Sequence, residues 1–195
     1  MVGGARSGKS TFAQELVQQL DCRTAYIATA QPRDGEMVQR IAKHQAERPK
    51  HWVTVEEPLS LAEAIISHGE RVDVLLVDCL TLFVSNVLTA GMDMLGTEDN
   101  PEFASETEVR VREAVGQVVD AAQRVPAVVV FVSNEVGQGL VPPYNLGRLY
   151  RDIAGWANQA VARVSDQVYW VQAGIAVELK QHAVSPEAAA RVLGR

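Results

Sequence analysis

The segment Gly3–Ser10 reads GGARSGKS and fits the pattern G-x-x-x-x-G-K-[ST], with Gly3, Gly8, Lys9 and Ser10 at the fixed positions. Such a loop presents consecutive backbone N–H groups to the β-phosphate of a nucleotide. Lys9 can reach the β- and γ-phosphates, and the Ser10 hydroxyl can ligate Mg²⁺. A Gly-rich turn with a solvated lysine is the simpler interpretation. The strand and helix patterns that follow favour the phosphate-binding loop.

Apolar segments typical of buried strands alternate with segments of helical spacing along the chain. Phe12, Leu16 and Leu20 recur every four residues, which predicts a helix over 10–20. The predicted strands are 24–29, 52–56, 72–77, 127–132, 167–171 and 175–179. The other predicted helices are 36–48, 59–67, 80–90, 102–124, 146–164 and a short one that begins at 185–187. The polar stretch 91–101 is predicted to be a surface loop.

This alternation predicts an α/β fold, with a mostly parallel sheet, helices on both faces and a C-terminal antiparallel hairpin. Ligands of such sheets bind beyond the carboxyl ends of the strands, where the loop 3–10 and Asp78 should meet. Only Met1 and Val2 precede the loop. The first strand is therefore expected to be a stub, unless further residues precede it.

Length and charge narrow the classes of function. The 195 residues suit one α/β domain, and the net charge of −6 gives no general attraction to nucleic acid or to anionic membranes. No apolar run is long enough to span a bilayer, and no signal peptide is expected. Cys22 and Cys79 lack metal-ligand spacing, so a reducing, cytoplasmic setting is the expectation.

Several polar side chains are candidates for chemistry, each with a simpler alternative. Asp78 ends an apolar strand and can hold Mg²⁺ beside Ser10, or it can cap the next helix. Arg40, His44 and Arg48 are spaced by four and form one stripe, either a solvated helix face or a site for phosphates. In the second case His44 can attack a phosphorus atom and form a phosphoramidate.

The loop after the strand 127–132 and the helix that follows this loop carry a second set of candidates. Asn134 and Glu135 can position a substrate hydroxyl or the metal, or they can cap a turn. Arg148 and Arg151 can clamp phosphates, or Arg148 can pair with Asp152 on the helix surface. The sequence leaves both choices open.

Several segments together resemble the bifunctional adenosylcobinamide kinase / adenosylcobinamide-phosphate guanylyltransferase family. They are GGARSGKS, YIATAQ, RIAKHQAERP, LLVDCLTLFVSN, VSNEVGQGLVP and RDIAGWANQ, in the order of that family. The phosphate-binding loop is generic, whereas R-I-x-x-H-x-x-x-R-P and N-E-V-G-x-G are far more specific. The similarity covers Gly3 to about Lys180.

The resemblance implies a RecA-like P-loop NTPase fold, a homotrimer and two reactions. The first would phosphorylate adenosylcobinamide with ATP or GTP. The second would transfer GMP from GTP to adenosylcobinamide phosphate through a guanylylated histidine, giving adenosylcobinamide-GDP and pyrophosphate. The matching histidine is His44, so the resemblance makes it the expected nucleophile. An ordinary P-loop kinase for a small metabolite, without guanylyl transfer, and a nucleotide-dependent switch are the alternatives.

The expected site has three parts. The catalytic residues are Lys9 and His44, and the metal ligands are Ser10 and Asp78, for Mg²⁺. The nucleotide-binding residues are Gly3, Gly4, Ala5, Arg6, Ser7, Gly8, Lys9, Ser10, Arg40, Arg48, Glu56 and Asp78. Asn134, Glu135, Arg148 and Arg151 are possible substrate contacts. Residues 1–180 are expected to form the catalytic domain, and 181–195 an extension beyond the usual end of the family.

Overall fold

The computed structural model describes residues 1–95 and 101–193. Its strands are β1 (Val2–Gly3), β2 (Thr24–Ala28), β3 (Val53–Glu56), β4 (Val74–Asp78), β5 (Val128–Asn134), β6 (Tyr169–Gln172) and β7 (Ile175–Glu178). Its α-helices are α1 (Lys9–Gln19), α2 (Gly35–Glu47), α3 (Leu61–Gly69), α4 (Leu80–Leu95), α5 (Pro101–Arg124), α6 (Asn145–Val164) and α7 (Pro186–Leu193). A 3₁₀ turn, Lys180–His182, precedes α7.

The strands form one sheet in the order β3-β2-β4-β5-β1-β6-β7. All neighbouring strands are parallel except β6 and β7, which form the antiparallel hairpin that the sequence predicts. The strand β5 lies between β1, which leads into the phosphate-binding loop, and β4, which ends at Asp78. This placement is the RecA-like order, so the expected fold class is confirmed.

Successive side chains of the central strands pack on opposite faces of the sheet, as the period of two requires. Ala25 and Ile27 of β2 belong to a core with α3, α4, α5 and α6. Tyr26 and Ala28 belong to a second core with α1. Helices therefore cover both faces, and the central strands are buried on each side, as parallel strands require.

The first strand is a stub of two residues, yet it pairs on both sides. Val2 pairs with Ser133 of β5 and with Trp170 of β6. The Met1 amine donates to the Phe131 carbonyl at 2.7 Å. These bonds hold the segment that leads into the phosphate-binding loop, although it offers few side chains for burial.

The structure differs from the predicted elements mainly between residues 91 and 101. The helix α4 continues to Leu95 instead of ending at Ala90, and α5 begins at Pro101. The predicted loop is therefore wrong for 91–95 and for 101, and residues 96–100 lie outside the described residues. Pro101 fits the first turn of α5 because a proline there loses no helical hydrogen bond.

Candidate active site

The phosphate-binding loop connects β1 to α1 with glycines at the two positions that tolerate no side chain. A Cβ on Gly3 would lie 2.3 Å from the Val171 carbonyl oxygen. Gly8 has φ of 94°, a conformation that costs other residues free energy, and a Cβ there would meet Gly174 at 3.1 Å. The pattern G-x-x-x-x-G-K-[ST] requires glycine at position 8. In the structure, the backbone conformation and the packing on Gly174 account for it.

Lys9 and Ser10 begin α1 directly after the loop, so both are placed by the loop and by the helix N-terminus. The Lys9 side chain is buried, and its Nζ donates to the Gly4 carbonyl at 3.1 Å. Burial lowers the pKa of Lys9, although the neighbouring Cys79 and Asp78 oppose this shift. The lysine thus lies along the loop, where the γ-phosphate position of P-loop proteins is found.

One cleft of about 360 Å³ opens at the carboxyl edge of the sheet. It brings together predicted site residues from five separate segments of the chain. They are Lys9, Ser10, Arg40, His44, Arg48, Glu56, Asp78 and Asn134. Apolar side chains complete the lining, among them Met37, Ile41 and Leu82.

The predicted stripe faces this cleft, although α2 ends at Glu47 and Arg48 follows it in an extended conformation. Arg40, His44 and Arg48 all line the cleft, so the stripe is not a purely solvated face. His44 Nδ1 is buried without a hydrogen-bond partner in the part of the chain that the structure describes. The same holds for Arg48 Nε and Nη1. Buried donors and acceptors are usually paired, so these three atoms of the stripe still lack the partner that a bound ligand or water would provide.

The carboxylate of Asp78 is held by a residue that the sequence analysis missed. The hydroxyl of Tyr26 donates to Asp78 Oδ2 at 2.7 Å, and the guanidinium carbon of Arg48 lies 3.6 Å from the centre of the Tyr26 ring. Burial, and then the negative charge of Asp78, raise the pKa of the tyrosine hydroxyl, which keeps it protonated as a donor. A buried tyrosine in an apolar strand normally needs such a partner, and that was the available signal.

Two further polar contacts that the sequence did not predict shape the cleft. Gln45 Nε2 donates to Glu56 Oε1 at 3.0 Å and joins α2 to the end of β3. The buried Asn86 donates to the Thr29 and Pro58 carbonyls, at 2.8 and 3.1 Å, and links the loops after β2 and β3. Cys79 also lines the cleft, and burial raises the pKa of its thiol to about 11.

The candidates after β5 separate into two groups. Asn134 lies at the end of β5 and lines the cleft, and its side-chain amide donates to Thr81 Oγ1 at 3.1 Å. Glu135 instead caps a turn, because its Oε1 accepts from the Gly137 N–H at 2.6 Å. The turn-capping alternative therefore describes the contact that Glu135 makes.

Arg148 and Arg151 are not among the residues that line the cleft. Arg148 donates to the Pro142 carbonyl at 3.0 Å and to Asn145 Oδ1, so it ties α6 to the preceding loop. No ion pair between Arg148 and Asp152 occurs among the described residues. Arg151 Nη1 is buried without a hydrogen-bond partner within the ranges 1–95 and 101–193.

The loop, the acid at the end of β4 and the order of the strands define a P-loop nucleotide-binding protein of the RecA-like class. Over residues 1–179 the sequence matches the family described as "CobU: Cobinamide kinase / cobinamide phosphate guanyltransferase". The chain belongs to this family, as the quoted segments predicted.

Curated relatives agree with that assignment. The chain is 42% identical over 180 residues to "Bifunctional adenosylcobalamin biosynthesis protein CobP" of Pseudomonas aeruginosa, covering 92% of this chain and 95% of the relative. It is 41% identical over 181 residues to "Bifunctional adenosylcobalamin biosynthesis protein CobU" of Escherichia coli, with 92% and 98% covered. A protein of the same name from Salmonella typhimurium is 42% identical over 183 residues, with 92% and 98% covered.

A solved structure supports the fold independently of close sequence similarity. An ATPase from the type III secretion system of pathogenic bacteria superposes with a TM-score of 0.54 at 14% identity, over 96% of this chain and 58% of that one. Within residues 1–95 and 101–193, no helix has the length and apolar character needed to cross a membrane.

Proposed function

We propose that this chain carries out both reactions of its family at the cleft described above. In the first, the hydroxyl of adenosylcobinamide attacks the γ-phosphorus of ATP or GTP. A new O–P bond forms, the bond between the γ-phosphorus and its bridging oxygen breaks, and the nucleoside diphosphate and the hydroxyl proton leave. Lys9 supplies positive charge at the transferred phosphoryl group, and the backbone N–H groups of the loop hold the β-phosphate.

In the second reaction, a nitrogen of His44 attacks the α-phosphorus of GTP and releases pyrophosphate. A phosphate oxygen of adenosylcobinamide phosphate then attacks the same phosphorus. The N–P bond breaks, His44 is regenerated and adenosylcobinamide-GDP forms. Arg40 of α2 and Arg48, which directly follows this helix, lie on either side of His44 in the sequence and offset the negative charge at the α-phosphorus during both steps.

The observation that carries this proposal is that the loop, Asp78 and His44 line one cleft, although they lie on three separate segments of the chain. A P-loop that grips the β- and γ-phosphates suits two reactions. It presents the γ-phosphorus to an alcohol in one and stabilises the leaving pyrophosphate in the other. A kinase without guanylyl transfer would need no histidine there.

The residues fit Mg²⁺, because the Ser10 hydroxyl and the Asp78 carboxylate face the same cleft and are the oxygen ligands that this ion prefers. When bound, Mg²⁺ would neutralise charge on the nucleotide phosphates. Ser10 and Asp78 would hold it beside the loop.

Labelling with α-phosphate-labelled GTP tests the second reaction. We expect an acid-labile, alkali-stable label on the protein that is lost in His44→Ala. His51→Ala is the matched control, because His51 is exposed and does not line the cleft. A His44→Ala protein that labels normally would refute the assigned nucleophile, and a wild-type protein that never labels would favour the metabolite kinase.

The oligomeric state, the cellular location and the domain boundaries of this protein are also proposals. We infer a cytoplasmic homotrimer, which light scattering would detect as three times the chain mass of 21.2 kDa. We infer no nucleic-acid partner, given the net charge of −6. Residues 1–180 are proposed as the catalytic domain, so a chain that ends at Lys180 should retain both activities, and loss of either would place 181–195 in the working enzyme.

A further inference from the structure

Tyr26 occupies the middle of β2 and is 2% exposed. Its strand pairs in parallel with β4, with Tyr26 opposite Leu76 and Ala28 opposite Asp78. Residues two apart on a strand share a face, so the tyrosine side chain lies diagonally beside the carboxylate. The 2.7 Å bond from its hydroxyl to Asp78 Oδ2 follows from this register.

The same aromatic ring contacts a cation from another element. The guanidinium carbon of Arg48, the residue directly after α2, lies 3.6 Å from the ring centre. A guanidinium over a tyrosine face is attracted by the ring quadrupole, and more strongly when both are removed from water. One side chain therefore contacts the acid beside the phosphate-binding loop and a cation of the stripe on α2.

We propose that Tyr26 is a positioning residue that orients Asp78 toward the metal of the nucleotide complex and holds Arg48 toward the phosphates. This inference rests on the proposed function and deepens it. The hydroxyl engages Oδ2 and thereby restricts the rotation of the carboxylate, which leaves the other oxygen to hold the metal. The ring limits the rotamers of Arg48, so less side-chain entropy is lost when this residue binds an anion.

A purely structural role for Tyr26 is the competing explanation, because the ring belongs to the core that contains α1. The two explanations differ in what the hydroxyl does. Tyr26→Phe keeps the ring, its packing and its face toward Arg48, and removes only the donor to Asp78. If Tyr26 only fills space, this variant should bind a metal–nucleotide complex as the wild type does.

The first experiment measures the affinity of the full-length, nucleotide-free protein for a fluorescent GDP analogue, once in the presence of Mg²⁺ and once in the presence of EDTA. In Tyr26→Phe we expect unchanged affinity in EDTA and about tenfold less enhancement by Mg²⁺, corresponding to one lost hydrogen bond to a charged group. Tyr150→Phe is the matched control, because its hydroxyl donates to the Thr81 carbonyl at 3.3 Å and not to the carboxylate. That variant should keep the full enhancement.

Two results would overturn the role of the hydroxyl. One is a full Mg²⁺ enhancement in Tyr26→Phe, and the other is an equal loss of affinity with and without the metal. An internal check uses Asp78→Asn, in which the further change Tyr26→Phe should have no effect on the enhancement. An undiminished effect in that background would mean that the hydroxyl acts through another group.

The second experiment tests the contact between the ring and Arg48 by a double-mutant cycle in EDTA, with a fluorescent GTP analogue as probe. Tyr26→Leu and Arg48→Ala should each weaken binding, and the double variant should be no weaker than Arg48→Ala alone. Additive losses would overturn the coupling. Thermal unfolding of each variant identifies a protein that fails to fold, and Tyr26→Phe still tests the proposal in that case.

These binding measurements need no turnover, so the role of Tyr26 and the proposed function can be refuted separately. Loss of the Mg²⁺ enhancement in Tyr26→Phe, with no kinase or guanylyl transfer in the wild type, would refute the proposed function and leave the role of Tyr26 intact. If the wild type has both activities and Tyr26→Phe shows a normal Mg²⁺ enhancement, the role of Tyr26 is refuted and the proposed function stands.

Discussion

The two walls of the cleft are built differently. The wall formed by the phosphate-binding loop is held by main-chain contacts: the Gly174 N–H donates to the Ser7 carbonyl at 2.8 Å, and β1 pairs with strands on both sides. The wall formed by α2 is held by side chains, and no residue of this helix, all of which the structure describes, is buried. The phosphates thus meet a preorganised surface, whereas the stripe that carries His44 belongs to an element with little burial to stabilise it.

This contrast suggests that the two walls of the cleft have different functions. Electrostatic stabilisation is most effective when the groups are fixed before the reaction begins, which suits the wall that binds phosphates. A nucleophile that forms and then loses a bond to phosphorus needs room for both states, which suits α2. Changes in the loop should therefore damage both reactions or the whole fold, and changes in α2 should damage guanylyl transfer alone.

The largest effect is expected from Lys9→Ala. The buried ammonium group supplies preorganised charge at the transferred phosphoryl group, so the kinase rate should fall by at least about a hundredfold. Lys43→Ala is the control, because Lys43 is exposed and pairs with Glu47 at 3.7 Å outside the cleft. Kinase assays of both variants measure this, and retained activity in Lys9→Ala would move phosphoryl transfer to another site.

A matched pair of glycines tests how rigid the loop wall is. Gly3→Ala would bring a Cβ to 2.3 Å from the Val171 carbonyl oxygen, whereas a Cβ on Gly4 would meet no atom within 4 Å. We expect Gly3→Ala to lower the free energy of unfolding by about 2 kcal/mol, the usual cost of overpacking, and Gly4→Ala to lower it far less. Urea titration measures both, and equal stabilities would show that the loop can relax.

The opposite wall is tested through the N-cap of α2. Asp34 Oδ1 accepts from the Met37 N–H at 2.7 Å, and its loss costs a helix about 1 kcal/mol, or about fivefold in the equilibrium between the formed and the frayed helix. In Asp34→Ala we expect a fall in guanylyl labelling of up to about fivefold at an unchanged kinase rate, whereas Asp34→Asn should retain the cap. A parallel fall in both activities would contradict the hypothesis that the two walls of the cleft serve the two reactions separately.

The smallest effect on stability is expected from Asp73→Asn, at the edge of the sheet opposite the cleft. Hydrogen bonds from Arg23 hold the pKa of Asp73 below its usual range. The exposed ion pair therefore stabilises the fold above the ordinary aspartate pKa, and this contribution is lost as the pH falls through the lowered one. Asp73→Asn should slightly flatten the acid side of the stability profile and leave both reactions unchanged. If the stability of Asp73→Asn falls more steeply with decreasing pH than that of the wild type, the pKa of Asp73 is not lowered by the ion pair.

Much of the architecture could be predicted because its signals are local. The loop is contiguous from Gly3 to Ser10, the apolar run of β4 ends at Asp78, and the turn at 172–174 separates the strands of the hairpin. The boundary at 91–95 was wrong because polar and Gly-containing residues suggest a loop, while α4 continues through them. Helix propensity is a weak prior that tertiary context can outweigh.

The amino-acid sequence by itself determined which residues are candidates to contact a nucleotide, because a phosphate-binding loop and a helical stripe are set by spacing along a few turns of chain. Only the tertiary structure decided how these parts meet: Tyr26 reaches Asp78 across 52 positions, Arg48 lies on its ring, and Gly174 supports Ser7 from the far end of the chain. Such contacts depend on strand order and register, which arise from the burial of whole faces and leave no short-range pattern to detect.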